Sequence, residues 1–287
     1  MRLLLFRRRW ILRRIVSVGV ALGIGVFVAA TLYGAGQRQR GGQLGRFGLP
    51  ENPPYDGAFQ FCRIVFRSQR YPYGDGGGWS VDYPRADINL SYRLSELTTT
   101  PVSKSRPGEF NHVLVSLTDP DLYRCPFIMM TEVGAAYLDA NEAAQLHEYL
   151  LRGGFLWADD FWGELAWGVW VGELRKVLSA GEYPIVDLAL DHPIFHALYV
   201  VRRIPQIPSS NFFFGSGGGT SERGPESAEP HVRAIFDQKG NVMVLMTHNT
   251  DFGDAFERET DNRRYFDAFA AEGYAFGINA LLYAMSH

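Results

Sequence analysis

Short apolar runs alternate with amphipathic segments from residue 58 to the C-terminus, and this alternation constrains the fold more than any other feature of the chain. The strand-like runs lie at residues 58–66, 112–117, 125–130, 155–158 and 185–190. Segments with helical spacing of apolar residues lie near 87–97, in 139–152 and in 167–178. Strands joined through helices usually pair in parallel, with helices on both faces of the sheet. We therefore predict an α/β fold with a mostly parallel, flavodoxin-like sheet flanked by helices.

Two local signals refine this prediction. Asp139 followed by Glu142 fits a capping box at the start of a helix, and Gly153 fits its left-handed stop. Nearer the C-terminus, the apolar runs 231–236 and 242–247 are separated by a short polar turn, which predicts a β-hairpin. One pair of antiparallel strands is therefore expected beside the parallel ones.

The N-terminus carries a membrane-targeting pattern. Six arginines fall within residues 1–14, and residues 15–33 carry no charge. A helix over that uncharged stretch would span roughly 28 Å, close to the hydrocarbon thickness of a bilayer. The arginines favour a cytoplasmic segment 1–14 and a single-pass helix in the cell inner membrane. A cleavable signal peptide ending near residue 30, or a twin-arginine export signal, would also place the remainder outside the cytoplasm.

The rest of the chain divides into a linker and one domain. Residues 34–57 are rich in Gly, Gln, Arg and Pro, which is typical of a flexible linker. We predict a single α/β domain over 58–287, with a mobile Gly/Ser/Pro-rich insertion near 205–230. Residues 51–287 hold 19 basic and 31 acidic residues, a net charge of −12. This acidic domain disfavours binding to nucleic acid or anionic lipid and fits a soluble or cationic partner.

The chain has two cysteines, Cys62 and Cys125. They could form one disulfide in an oxidising compartment, but two cysteines do not make a disulfide scaffold. We favour two separate buried thiols, because free cysteine behaves as a small apolar residue.

Polar side chains recur where the predicted strands end. The candidate ligand-binding residues among them are Glu132, Asp159, Asp160, Trp162, His192, His248, Asn249 and Asp251. Asp119, Asp121, Asp191 and Asp254 belong to the same pattern. The carboxyl ends of parallel strands meet at one edge of a sheet, where ligands bind, so we expect these side chains to converge.

Several kinds of chemistry suit such a set. Carboxylates near two imidazoles could share a proton, bind a hard divalent cation through oxygen, or hold the hydroxyls of a polar ligand. The spacing selects none of these and defines no metal site or other cofactor. Aspartate after a strand is also an ordinary helix cap or turn former. The tryptophans between 157 and 170 could form an aromatic wall beside the acids, although helical spacing favours packing for Trp167 and Trp170.

The segment from residue 59 to the C-terminus resembles a bacterial family of exported or membrane-anchored proteins, domain of unknown function 4159. The residues that carry the resemblance are Phe61, Arg63, Trp79, Asp82-Tyr83-Pro84, Pro126-Phe127, 149–156, Asp159-Asp160, Asp191-His192-Pro193 and Gly277-Ile278-Asn279. Members are often encoded beside membrane-bound von Willebrand factor A proteins and AAA-type ATPases. The resemblance thus implies a role in an envelope assembly.

That family is distantly similar to class I glutamine amidotransferase-like domains, which implies the same fold. In those domains a helix, paired glycines and a strand lead to a sharp turn that bears a nucleophilic cysteine. The corresponding turn here is 158–163, where Asp159 and Asp160 stand and no cysteine is present. A carboxylate cannot form the thioester of glutaminase chemistry, so the resemblance supports the fold and not the activity.

Two functional hypotheses follow. The first is a noncatalytic, membrane-tethered module that binds an envelope protein, a membrane protein or a small polar ligand at the acidic strand ends. The second is an envelope hydrolase acting on a glycan or an amide through Asp159, Asp160, His192 and His248, with or without a metal ion. The chain lacks a phosphate-binding loop, a His-Glu-x-x-His motif and a Gly-x-Ser-x-Gly elbow, which favours the noncatalytic hypothesis.

Overall fold

Seven strands form the central sheet of the computed structural model, which describes residues 49–69 and 78–287. These strands are β1 Phe61–Ile64, β5 His112–Val115, β6 Phe127–Thr131, β8 Phe155–Phe161, β9 Val186–Asp187, β10 His231–Phe236 and β11 Val242–His248. Four shorter strands form two peripheral hairpin-like pairs, β2 Arg67–Ser68 with β7 Ala136–Tyr137, and β3 Lys104–Arg106 with β4 Glu109–Phe110.

The order of the central sheet is β5-β1-β6-β8-β11-β10-β9. Strands β5, β1, β6, β8 and β11 pair in parallel, whereas β10 is antiparallel to both β11 and β9. The predictions of a mostly parallel α/β sheet and of a hairpin near the C-terminus are therefore confirmed.

Helices cover both faces of this sheet. They are α1 Arg85–Leu97, α2 Ala140–Leu151, α3 Gly163–Val177, α4 Ser210–Gly215, α5 Phe252–Glu257, the single turn α6 Arg263–Tyr265 and α7 Ala271–Ser286. Helices α1, α5 and α7 share the main apolar core with side chains of the sheet such as Phe61 and Trp157. Helix α3 lies on the opposite face, where Trp167 stacks on Phe161. No helix within the described ranges combines the length and the apolar character needed to cross a membrane.

The predicted segments before the domain lie mostly outside the described residues. These are the cytoplasmic segment 1–14, the membrane helix 15–33 and the linker 34–57 as far as residue 48. The described end of the linker runs along β5, where the Asn52 side chain donates to the carbonyl of Leu114 and accepts from its amide, both at 3.0 Å. A side chain thus occupies backbone hydrogen-bonding groups on this edge strand, as a neighbouring strand would.

The local signals for α2 are confirmed. The Asp139 carboxylate accepts from the amides of Asn141 and Glu142, and the Glu142 side chain accepts from the Asp139 amide, which completes a capping box. Gly153 has a φ of 92°, which lies in the left-handed region that a glycine adopts without steric cost.

The segment after α2 differs from the prediction in one respect. Strand β8 does not end at Ala158 but continues to Phe161, so Asp159 and Asp160 belong to the strand and α3 begins already at Gly163. The reason is backbone pairing: β6 pairs with β8 as far as Thr131 with Asp159, and β11 pairs His248 with Phe161 across a register shift.

The two cysteines form a disulfide, which corrects the preference for separate thiols. Cys62 lies in β1, and Cys125 lies just before the neighbouring parallel strand β6. This pairing brings the two Cα atoms to 6.1 Å, within the usual range for a disulfide. Sequence spacing could not reveal the adjacency, because 62 residues, which include strand β5, separate β1 and β6 along the chain.

The segment 205–230 contains α4 and a 3-10 turn at Gly224–Ser227. Its Gln206 side chain donates to the carbonyls of Ser227 at 2.7 Å and Asn249 at 3.3 Å, and the Ser209 amide donates to Glu222. The bond to Asn249 and the two bonds of the Thr250 hydroxyl, from the Ile207 amide and to the Pro205 carbonyl, connect the segment to the loop that follows β11. They place it beside the carboxyl ends of the parallel strands.

Candidate functional site

Buried carboxylates converge at the carboxyl edge of the sheet. Asp160 lies near the end of β8, Asp251 follows β11 and caps α5, and Asp82 precedes α1. One carboxylate oxygen from each of the three lies within 4.8 Å of the other two. Asp159 and Asp254 adjoin this trio, and we call the five residues the carboxylate pocket. All five are at least 94% buried.

The backbone of this region is unusual. Among the described residues, four that are not glycine have a positive φ: Asp82 at 61°, Glu132 at 52°, Asp160 at 55° and Asn249 at 60°. A left-handed backbone at such residues costs on the order of 1–3 kcal/mol each and persists where the surrounding structure enforces it. Aspartate and asparagine tolerate it better than most residues. All four stand in or beside the carboxylate pocket, so the strain is concentrated at this one edge.

Asp159 is the most deeply buried member of the carboxylate pocket. Its Oδ1 accepts from the Thr247 hydroxyl and its Oδ2 accepts from the Gly253 amide at 3.0 Å. The Trp157 indole donates to the same Thr247 hydroxyl at 2.8 Å and thereby orients it. Burial raises the pKa of Asp159 to about 7 despite these hydrogen bonds. Because both of its oxygens have partners, Asp159 supports the pocket rather than facing a ligand.

Three other predicted residues make hydrogen bonds around the carboxylate pocket. The Trp162 indole donates to Asp160 Oδ1 at 3.0 Å. The Asn249 side chain accepts from the Gly163 amide at 2.8 Å and donates to the Glu229 carbonyl at 2.9 Å. Glu132 accepts from the Gly78 amide. These side chains fix the loops that carry the carboxylates.

The pocket carboxylates repel one another. The pKa of Asp82 lies well above its usual range, because of burial first and of the nearby charges of Asp254 and Glu257 second. Burial and then the charges of Asp160 and Asp82 raise the pKa of Asp251 in the same way. Without a compensating positive charge, this cluster therefore retains protons at pH values where exposed aspartates are ionised.

A fully neutralised ion pair lies close to the pocket. The Arg63 guanidinium in β1 donates to both oxygens of Asp87 in α1 at 2.5–3.0 Å, and neither side chain is exposed. Its remaining donors reach the carbonyls of Trp79 and Val81 and the Thr131 hydroxyl. The Arg63 guanidinium thus hydrogen-bonds to Asp87, to Thr131 and to the loop that carries Asp82.

The two predicted histidines do not join the carboxylates. His248 lies on the α3 face, where its ring stacks on Phe161 at 5.0 Å and contacts Trp167 at 5.2 Å. Its Nδ1 lies 3.1 Å from an Arg233 nitrogen and its Nε2 lies 3.1 Å from the Gly163 carbonyl. Burial lowers the pKa of His248 to about 4, so the ring is neutral at physiological pH.

His192 lies at the opposite edge of the sheet, and the expectation that it converges with the acids is wrong. Its ring contacts Tyr283 at 5.6 Å, and Tyr283 packs against Phe155, the first residue of β8. The reason is the shortness of β9, which pairs over two residues before the chain reverses direction. The His192 imidazole accepts from the amide of Ile194 and caps a 3-10 turn, an ordinary structural role.

The remaining strand-end aspartates and the tryptophans are structural. Asp119 caps a 3-10 turn at Pro120–Arg124, and Asp121 pairs with Arg124 at 3.0 Å. Trp157 and Trp170 are fully buried, so the predicted packing role is confirmed for Trp170. Trp162 is also buried and contributes its indole hydrogen bond to Asp160, not an open aromatic surface.

Asp82 and Glu257 were missed by the strand-end rule. Asp82 stands before a helix and not after a strand, so parallel-strand geometry gives no reason to select it. Glu257 lies at the end of α5. The signal that could have identified Asp82 was its place in Asp82-Tyr83-Pro84, one of the segments that carry the family resemblance.

Comparison with known families identifies the chain. The sequence profile of the domain of unknown function DUF4159 matches residues 68–285. The protein belongs to the DUF4159 family. No curated protein matches the chain.

The DUF4159 match contains every residue of the carboxylate pocket, whereas Arg63 and Cys62 in β1 precede it. The distant similarity to glutamine amidotransferase-like domains stays a prediction. Both cysteines of the chain are in the disulfide, so no thiol remains for glutaminase chemistry.

Proposed function

We propose that this DUF4159 protein is a membrane-tethered, noncatalytic binding module of the cell envelope, and that the carboxylate pocket is its recognition site. The observation that carries the proposal is the convergence of five buried carboxylates on a strained backbone at the carboxyl edge of the sheet. Such an arrangement costs folding free energy through desolvation and repulsion. A ligand that supplies positive charge or hydrogen-bond donors would offset that cost.

The position of the pocket supports this role. In open α/β sheets ligands bind outside the carboxyl ends of the strands. Helix α3 starts beside Asp160, and its first turn exposes Leu165 to solvent to 50%. A partner could therefore contact α3 while one of its polar groups reaches the carboxylates. The acidic charge of the domain favours a partner or ligand of positive charge.

The competing hypothesis was an envelope hydrolase on a glycan or amide, with carboxylates and histidines around a water or a cation. General acid–base catalysis requires these groups within hydrogen-bonding reach of one substrate atom. His192 lies at the opposite edge and His248 on the α3 face, so neither imidazole stands among the carboxylates. This arrangement favours binding over hydrolysis.

The envelope location rests on the N-terminal arginines and the uncharged stretch 15–33. Protease treatment of intact spheroplasts should digest the domain over 58–287. Protection in intact spheroplasts, with digestion only after lysis, would place the domain in the cytoplasm and refute the proposed location.

Site-specific photo-crosslinking in living cells tests the recognition site. A photoreactive amino acid replaces Leu165 in the full-length chain, and the crosslinked envelope products of the wild-type pocket are compared with those of Asp160→Asn. We expect specific products that fall at least fivefold in the Asp160→Asn variant. The matched control is Asp119→Asn, which changes a half-buried strand-end aspartate that caps a 3-10 turn far from the pocket in sequence, and it should leave the products unchanged. Equal crosslinking in all three proteins would remove the pocket from the function.

A further inference from the structure

Three residues of the carboxylate pocket have the arrangement of a metal-ligand set. Asp82, Asp160 and Asp251 come from three separate segments, and their closest oxygens lie within 4.8 Å of one another. Oxygens on opposite sides of a bound Ca²⁺ are about 4.6–5.2 Å apart, twice the usual metal–oxygen distance, and adjacent ligands are closer. The three oxygens can therefore surround a single ion without a large movement of the backbone.

An independent observation points to a missing positive group. Asp82 Oδ2 is buried and has no hydrogen-bond partner, while the residue as a whole is 6% exposed. A buried carboxylate oxygen without a partner is rare in native proteins, because its desolvation is not offset. The other two members of the trio, Asp160 and Asp251, are carboxylates as well and supply no positive charge to it.

The Asp82 oxygen without a partner lies beside Gly253 and close to Asp251. A Cβ atom built on Gly253 would lie 2.2 Å from Asp82 Oδ2 and 3.3 Å from Asp251 Oδ1. Both oxygens therefore lie close to the place that a side chain at position 253 would occupy. A side chain at position 253 would therefore require the Asp82 carboxylate to move, and glycine allows its present position.

We propose that Asp82, Asp160 and Asp251 bind one divalent cation of the class that prefers oxygen ligands, such as Mg²⁺, Ca²⁺ or Mn²⁺. This inference rests on the proposed function, because the ion is the positive charge through which the pocket meets its ligand. All three ligands are carboxylates, and oxygen ligands of this kind are the ones that Mg²⁺, Ca²⁺ and Mn²⁺ prefer in proteins. Three protein ligands leave coordination positions for water or for oxygen atoms of the bound partner.

The site holds one ion and not two. Asp82 also belongs to a second group with Asp254 and Glu257. In that group the Arg258 guanidinium already lies 3.2 Å from Asp254 and 2.8 Å from Glu257. The arginine supplies there the positive charge that a second metal ion would bring. We therefore expect a stoichiometry of one ion per chain.

Metal titration of the purified full-length chain in detergent tests the proposal. After treatment with a chelator, the protein is titrated with MgCl₂, CaCl₂ and MnCl₂ by isothermal calorimetry, and thermal unfolding is followed with each ion. We expect saturable binding of one equivalent of at least one ion, with a rise in the unfolding temperature. Asp82→Asn and Asp251→Asn should each weaken binding at least tenfold. The matched control Asp191→Asn, which changes an exposed turn aspartate, should bind as the wild type does.

A second measurement keeps the test independent of calorimetric heats. Tb³⁺ is a hard, oxygen-binding ion whose luminescence is sensitised by a nearby indole, and the Trp162 indole contacts Asp160 directly. We expect sensitised emission that the preferred divalent ion displaces, and that is lost in Asp82→Asn while its circular dichroism remains that of the wild type. Absence of saturable binding of all three divalent ions to folded wild type, or equal binding by wild type and Asp82→Asn, would overturn the proposal.

The two proposals fail separately. Crosslinking from position 165 that depends on Asp160, together with no metal binding, would overturn the cation site and leave the recognition function in place. Metal binding that depends on Asp82, together with crosslinking that ignores Asp160, would support the cation site and overturn the recognition function.

Discussion

Two neighbouring groups of buried charged side chains differ in how completely their polar atoms are paired. The Arg63–Asp87 pair is fully buried, and the donors of Arg63 reach Asp87, two carbonyls and one hydroxyl. In the carboxylate pocket, Asp82 keeps an oxygen without any partner. The loop that accepts from Arg63 through the carbonyls of Trp79 and Val81 is the same loop that carries Asp82.

This contrast shows that the local fold is able to neutralise buried charge. Leaving an ion unpaired inside a protein is expensive, and natural structures do so chiefly where a ligand completes the site. The positive charge of Arg63 acts on Asp82 from nearby, but its hydrogen bonds to a carboxylate all go to Asp87. The difference is therefore best explained by function: Arg63–Asp87 holds the scaffold, and the carboxylate pocket is kept available for a positive group from outside.

The largest expected effect comes from breaking the neutralised pair. Asp87→Ala would leave the Arg63 guanidinium buried without its counter-ion, which typically costs about 3–5 kcal/mol. Urea unfolding of the metal-free protein measures the loss. The double variant Arg63→Met/Asp87→Leu removes both charges and should recover most of the stability. A loss below about 1 kcal/mol in Asp87→Ala would mean that water reaches Arg63, and the contrast between the two regions would disappear.

The pocket should respond to pH in the absence of metal. A carboxyl group whose folded pKa is raised favours the protonated folded state, so its contribution is complete below the unfolded pKa near 4 and is lost as the pH rises through the folded pKa. For Asp159 the folded pKa is about 7. Between pH 5 and pH 8 we expect a loss on the order of 2–4 kcal/mol in chelator. Unfolding curves at several pH values measure it.

Two comparisons sharpen that pH experiment. Asp159→Asn should flatten the decline, because the group that loses its proton is gone. Saturation with the preferred divalent ion should flatten it as well, since the ion replaces the lost protons. A stability that is constant from pH 5 to pH 8 in chelator would show that the pocket carboxylates are already ionised and solvated.

Much of the fold was predictable from residue periodicity. The parallel sheet, the hairpin of β10 and β11, and the capped helix α2 each have a local signature in the sequence. The length of β8 was not predictable, because Asp159 and Asp160 read locally as turn residues. Only pairing with β6 and β11, which are distant in sequence, extends the strand through them.

The site was predictable in part. Parallel-strand geometry selected Asp159, Asp160 and Asp251, because in the sequence each of them follows an apolar run. It also selected His192, although the chain turns back after β9 and carries this residue to the opposite edge. Asp82 was not selected, because its segment approaches the pocket through the loop before α1. Tertiary contacts of loops leave no periodic trace in a sequence.

His248 differs from both the Arg63–Asp87 pair and the carboxylate pocket, because it is a buried titratable group that stays neutral. Its folded pKa of about 4 lies below the ordinary value of 6.5. A histidine with a lowered folded pKa contributes stability above the unfolded pKa, and that stability is lost as the pH falls toward the folded pKa. Between pH 6.5 and pH 4 we expect a loss of roughly 2–3 kcal/mol. The His248→Gln variant, followed by urea unfolding at both pH values, should show a smaller decline.

The smallest expected change in stability is that of Asp82→Asn, and its sign distinguishes an unpaired Asp82 charge from a paired one. Asp82→Asn removes one charge from the pocket while keeping the shape of the side chain, and its amide can donate to a neighbouring carboxylate. In chelator at alkaline pH, where the Asp82 carboxyl has lost its proton, this variant should be more stable than the wild type by about 1 kcal/mol, because like-charge repulsion falls. Asp191→Asn, at an exposed turn, should stay within about 0.5 kcal/mol of the wild type. With saturating divalent ion the order should reverse, since the wild type gains binding free energy that Asp82→Asn lacks. Destabilisation of Asp82→Asn in chelator would instead mean that the Asp82 charge has a partner within the folded chain, and the carboxylate pocket would then be neutralised in the same way as Arg63 and Asp87.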